Sequence, residues 1–118
     1  MMITAKEHSE KQKNTILNAK EDELVYLALF WVNGLSVNGG SEYKEDYYSI
    51  CQKLEIVNPR EYHENWKIFE NVGIMEQDGG SEYISKIGVI NLEKCFSDPR
   101  ISRIFDFVKE TDKIWKGY

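Results

Sequence analysis

Residues 55–91 read EIVNPREYHENWKIFENVGIMEQDGGSEYISKIGVIN, and the division of this stretch decides the fold. Asn58-Pro59 marks a turn and a new start. Asparagine caps a helix, and proline suits its first position, where an N–H would have no partner in any case. From there Tyr62, Trp66, Phe69 and Val72 recur at spacings of three and four, which predicts a helix over 59–72 that Gly73 ends. The grammar then changes. β-Branched residues alternate loosely around Asp78-Gly79-Gly80-Ser81, which predicts a β-hairpin with strands at 74–77 and 83–90.

Toward the N-terminus, Leu24, Leu27, Ala28 and Trp31 sit at helical spacing, and Val25, Leu29 and Val32 widen their stripe. They predict a helix over 21–33 that is apolar nearly all round and therefore central. Glu21, Asp22 and Glu23 supply the negative charge that a helix dipole favours in the first turn, and Asn33-Gly34 supplies the stop. A loop follows from Ser36 to Ser41, then a helix over 42–54 with Tyr43, Tyr47, Ile50, Cys51 and Leu54 on one face. Upstream, Lys6 to Lys20 hold four lysines and two glutamates with little apolar content, so residues 1–20 read as a flexible basic lead-in. Downstream, Asp98-Pro99 opens a fourth helix carrying Ile101, Ile104, Phe105, Val108, Ile114 and Trp115.

Three helices, a hairpin and a last helix are the order of a winged helix-turn-helix, an α+β fold that is mainly α. The expected organisation is a lead-in at 1–20, a winged-helix domain at 21–92 and an amphipathic C-terminal helix at 93–118. A length of 118 residues with 42% hydrophobic content suits one domain with a core of its own. Gly-Gly-Ser-Glu-Tyr occurs at 39–43 and again at 79–83, but the match extends to neither side and reads as a reused turn.

The inventory excludes most chemistry. Neither Gly-Gly pair leads into the Lys-Ser/Thr of a phosphate-cradling loop. His8, His63, Cys51 and Cys95 have none of the paired spacings of a zinc site, and no cofactor is implied. Cys51 lies on the apolar face of its helix and reads as an inert core thiol rather than a nucleophile. The carboxylates are spread over solvent faces, so the expectation is a protein that is not an enzyme. The longest apolar run, Leu24 to Val32, falls well short of the roughly 20 residues a membrane span needs. With two cysteines 44 positions apart and a charged start lacking a secretion signal's apolar core, a reducing cytoplasm is the expected location.

A set of residues then carries a family resemblance. It runs through Ile16-Leu17, Glu23-Leu24-Val25-Tyr26-Leu27-Ala28, and Tyr47 with Cys51, Leu54 and Ile56. It continues through Arg60, Phe69, Val72-Gly73-Ile74 and a wing ending in Ile87 to Leu92. Over residues 16–95 the chain resembles the C-terminal winged-helix domain of archaeal origin-recognition initiator proteins. That family binds duplex origin DNA through its third helix and wing, beside an ATPase module to which the resemblance does not extend. It implies DNA contact by Arg60 and its helix neighbours, in DNA replication or transcription regulation. The wing departs from the family's Gly- and Arg-rich pattern, since its tip is Asp78-Gly79-Gly80-Ser81-Glu82 with only Lys86 nearby.

With Tyr62, Trp66 and Phe69 inward, Arg60, His63, Glu64 and Lys67 point outward from the third helix. The candidate DNA contacts are Arg60, His63 and Lys67, Lys86 from the wing, and Lys11 and Lys13 from the lead-in. Arg60 could equally pair with a carboxylate one turn on, such as Glu64, and Lys67 and His63 could be plain solvated groups. The net charge of −5 is the wrong sign for a phosphate-rich partner. Over 58–90, Arg60, Lys67 and Lys86 face Glu61, Glu64, Glu70, Glu76, Asp78 and Glu82, a balance of −3. Two functions follow. One is a non-catalytic DNA-binding protein; its apolar stripe of Ile101, Ile104, Phe105, Val108 and Trp115 either packs on its own domain or pairs two copies into a dimer. The other is an interaction module whose acidic third helix and wing meet a basic protein partner.

Overall fold

The computed structural model describes residues 4–34 and 43–115, with side chains to Thr111. The predicted loop from Ser36 to Ser41, the first copy of the repeated pentapeptide up to Glu42 and the side chains of Ile114 and Trp115 lie outside the described residues.

Mainly helical, the fold carries one two-stranded antiparallel sheet. Helix α1 spans Ala5–Leu17, α2 Glu21–Asn33, α3 Lys44–Lys53 and α4 Glu64–Glu70. The hairpin follows as β1, Met75–Asp78, and β2, Ser81–Ile84. Helix α5, Lys86–Lys94, runs through a short 3-10 turn at Cys95–Ser97 into α6, Pro99–Trp115. No helix among the described residues is long and apolar enough to cross a membrane.

Helix α2 is central, as its all-round apolar sequence predicts: every residue from Asp22 to Phe30 is buried. The Lys20 amide donates to Glu23 Oε1 at 2.9 Å, satisfying one of the N–H groups that a helix start leaves free. Along α2 packs α6, whose Ile101, Ile104, Phe105 and Val108 are buried in the chain's own core. Trp31 meets Phe96 and Phe105 edge to face with ring centroids 5.1 and 5.6 Å apart, and Phe96 lies tilted against Phe105 at 5.2 Å, closing that seam. Of the two readings of the α6 stripe, packing on its own domain is the one seen for four of the five residues: they fill the chain's own interior, because α2 needs an apolar cover and α6 provides it, which leaves them no part in a dimer surface.

Three further expectations change. The lead-in is an ordered helix, α1, capped by Thr4 Oγ1 accepting from the Glu7 amide at 3.1 Å. Its few inward residues suffice to dock it, since Ile16 joins the core and Gln12 is bonded at both ends of its amide. Arg100 then holds the end of α1, donating to the Leu17 and Ala19 carbonyls at 2.9 and 2.8 Å.

The third predicted helix starts five residues late. In a helix begun at Pro59 the Arg60 carbonyl would take the Glu64 amide, but it takes the Tyr47 hydroxyl at 2.6 Å. The Tyr62 amide likewise donates to Tyr48 Oη at 2.9 Å, and Asn58 turns the chain at φ 51°. Residues 59–63 therefore form an anchored strap, and α4 is only seven residues long.

The second strand ends at Ile84, because Ser85 is a helix cap rather than a strand residue. Ser85 Oγ accepts from the Gly88 amide at 3.0 Å and donates to the Gly73 carbonyl at 2.7 Å. Gly88 makes the approach possible, since a Cβ there would stand 2.7 Å from the Ile74 carbonyl oxygen. The hairpin turn itself is as predicted, with Gly79 and Gly80 both at positive φ between Asp78 and Ser81.

Candidate functional site

Arg60 was the leading contact residue by sequence, and the fold occupies it. Its amide donates to Asp22 Oδ2 at 2.6 Å, and its Nη2 pairs with Glu23 Oε2 at 3.1 Å. Both carboxylates belong to the first turn of α2, 37 and 38 residues upstream, not to Glu64 one turn on. The Glu23 side chain is 8% exposed and that of Arg60 33%, so the pair sits half inside the protein. Arg60 thus ties the α3–α4 strap to α2 at the floor of a cleft of about 560 Å³, lined also by Lys20, Glu21, Glu55 and Glu64.

The other candidate contacts are dispersed. His63 is exposed just before α4, its ring edge-on to Tyr62 at 5.0 Å. Lys67 is exposed on α4. Lys86, expected on the wing, is the exposed first residue of α5. Lys11 is exposed on α1, whereas Lys13 is half-buried and pairs with Glu10 at 2.9 Å. That pairing, helped by Lys6 and Lys94, holds the Glu10 carboxyl below its usual range.

Around α4 and the hairpin, carboxylates dominate. Glu61, Glu64, Glu70, Glu76 and Asp78 are exposed and Glu82 is half-buried, against Lys67 as the cation on these elements. Among the described residues none of the six forms an ion pair. Burial pushes the Glu82 carboxyl above its ordinary value, opposed by the nearby charge of His63. Tyr83 donates its hydroxyl to Glu76 Oε2 at 3.2 Å across the hairpin. Between α4 and β1 runs a groove of about 590 Å³, walled by Trp66, Glu70, Met75, Glu76 and Gln77. Trp66, read as inward, is half-buried and forms one side of it.

Burial pushes the Cys51 thiol up to about 12, with Asp22 adding to the effect, and it raises Cys95 as well. Tyr26, Tyr47 and Tyr62 are likewise raised by burial in an aromatic cluster with centroids 5.2 and 5.5 Å apart. Among the described residues no three His, Cys, Asp or Glu side chains gather in a way that could hold a metal ion.

Sequence reasoning missed the polar clamp under this surface. Gln12 Nε2 donates to the Val72 carbonyl at 2.9 Å, and Gln12 Oε1 accepts from Asn91 Nδ2 at 2.8 Å. The clamp fixes α1 and α5 to the turn between α4 and β1. Its only signal in the sequence was a polar residue at the inward position of α1, four before Ile16. The chain matches no protein-family model, no curated protein and no solved structure.

Proposed function

We propose that this protein is a non-catalytic interaction module whose α4–hairpin face docks a basic partner. The observation that carries it is the charge of the strap, α4 and the hairpin: six carboxylates, none in an ion pair among the described residues, beside Lys67 as the one lysine, with Arg60 held by Glu23 and with Glu70 and Glu76 walling one groove. Such a face repels phosphate and attracts lysine and arginine side chains, so charge complementarity favours a basic protein segment over nucleic acid. The run of α2, α3, α4 and the hairpin, which α1 precedes, supports a winged-helix reading, a scaffold that serves protein contacts as well as DNA contacts. It is also compatible with the likeness to archaeal origin-recognition winged-helix domains, and a cytoplasmic location remains the expectation.

A second reading keeps duplex DNA as the partner but moves the contact away from the third helix. Lys6, Lys13 and Lys94 gather around Glu10 where α1 meets α5, and Lys11 is exposed on the same helix. Binding through them would be a sequence-independent phosphate contact. The two readings separate in a salt series on the folded chain with two fluorescent probes, a mixed lysine–arginine peptide and a duplex DNA. The proposal expects low-salt binding of the peptide that E70Q/E76Q weakens several-fold, and no such loss with K11A/K13A. DNA binding that K11A/K13A abolishes, with no peptide binding, would overturn it in favour of the second reading.

A further inference from the structure

Helix α5 carries an apolar pair that the chain leaves uncovered. Ile87 and Ile90 are 51% and 53% exposed, one turn apart on its outer face. The opposite face is fixed: Gly88, Asn91 and Leu92 are buried against the rest of the fold. The exposed face is therefore a stripe of five residues, Lys86, Ile87, Ile90, Glu93 and Lys94. Residues seven apart lie on one line of a helix, so Lys86 and Glu93 form one edge of the stripe, Ile87 and Lys94 the other, and Ile90 its middle.

This arrangement is complementary to itself. Two copies of α5 packed antiparallel about a two-fold axis at Ile90 bring like edges together with their directions reversed. Lys86 then stands opposite Glu93 of the second copy, and the symmetry makes that pair twice. Ile90 meets its own equivalent at the centre, and Ile87 lies under the aliphatic stem of the other copy's Lys94. A parallel two-fold pairing would bring opposite edges together, Lys86 beside Ile87 and Glu93 beside Lys94, and would lack the two Lys86–Glu93 pairs. We propose that this face of α5 is a homotypic docking surface and that its occupant is a second copy of this chain.

The interface differs from the dimer expected by sequence, because it uses α5 rather than the α6 stripe, which is buried. Its small apolar area puts it among weak, reversible contacts that bury less than about 1,200 Å². Glu76 and Tyr83 of the hairpin line a cavity beside Lys86 and Ile87, while Glu64, Lys67 and Glu70 of α4 are not among its lining residues, so a dimer would present two acidic α4 regions and raise avidity for a partner with repeated basic segments.

Sedimentation equilibrium across a wide concentration range tests it, with circular dichroism to verify folding. The wild-type chain is expected to self-associate reversibly, and I90E to be monomeric throughout. K86E and E93K are each expected to weaken association about tenfold, since each replaces two attractive pairs by two repulsive ones. An equimolar mixture of the two single variants is expected to associate at least as well as wild type, because opposite edges then meet. A wild-type chain that stays monomeric at millimolar concentration overturns the proposal. So does I90E associating like wild type, or a K86E and E93K mixture no tighter than either alone. None of these outcomes depends on the basic-partner reading, which uses other residues.

Discussion

Two groups of carboxylates in this chain have opposite fates. Asp22 and Glu23, in the first turn of α2, are buried and bonded to Arg60, and they fix the strap that leads into α4. Glu64, Glu70, Glu76 and Asp78, on α4 and the hairpin, are exposed and form no ion pair among the described residues. In composition the two groups are alike. The difference teaches that a single well-placed arginine decides which acidic cluster belongs to the fold and which is left exposed.

The largest test of that contrast is Arg60→Ala. Removing the guanidinium strands the buried Glu23 carboxylate while the strap keeps its backbone bonds to Asp22 and Tyr47, so unfolding by urea should show a loss of about 2–3 kcal/mol. An unchanged stability would mean that the two acidic groups do not differ in kind. Tyr47→Phe attacks the same strap more gently. It removes the hydroxyl that donates to the Arg60 carbonyl, and about 1 kcal/mol of stability should go with it.

What the sequence disclosed follows from where each signal lies. Helix α2 was legible to the residue, because an unbroken apolar stripe between an acidic first turn and Asn33-Gly34 has one reading. Helix α6 was legible as a helix, and its apolar stripe left two roles open, cover from the same chain or from a second copy; four of its residues are buried within the chain. The strap was not legible. Its helix-like start at Asn58-Pro59 is overridden by bonds from Asp22, Tyr47 and Tyr48, residues 13 or more positions away. The end of β2 failed for a local reason: Ile84, Val89 and Ile90 suit a strand, and only the Ser85 cap with Gly88 reveals the helix. Of the candidate contacts, Arg60 was seen as chemically important, but its partner lies 37 residues upstream and has no sequence signature.

Smaller effects sharpen the comparison from the other side. Glu55 ends α3 at φ 60°, a conformation that glycine adopts without strain, and the Ile56 amide closes the turn on the Cys51 carbonyl at 2.9 Å. Glu55→Gly should therefore raise the thermal midpoint, by about 0.5–1 kcal/mol of stability, where glycine elsewhere in α3 would lower it. Smallest of all should be the triple change Glu64→Gln, Glu70→Gln and Glu76→Gln. Exposed groups without ion pairs contribute little to folding, so stability should move by less than about 0.5 kcal/mol. A substantial loss would show that these carboxylates belong to the fold after all.

The most direct measurement is a titration of the ¹⁵N-labelled chain with a mixed lysine–arginine peptide, followed amide by amide. The basic-partner account predicts salt-sensitive shifts confined to α4, the hairpin and the groove between Trp66 and Glu76, and their disappearance in the triple glutamine variant. Shifts centred on α1, or shifts that persist unchanged in that variant, would contradict it.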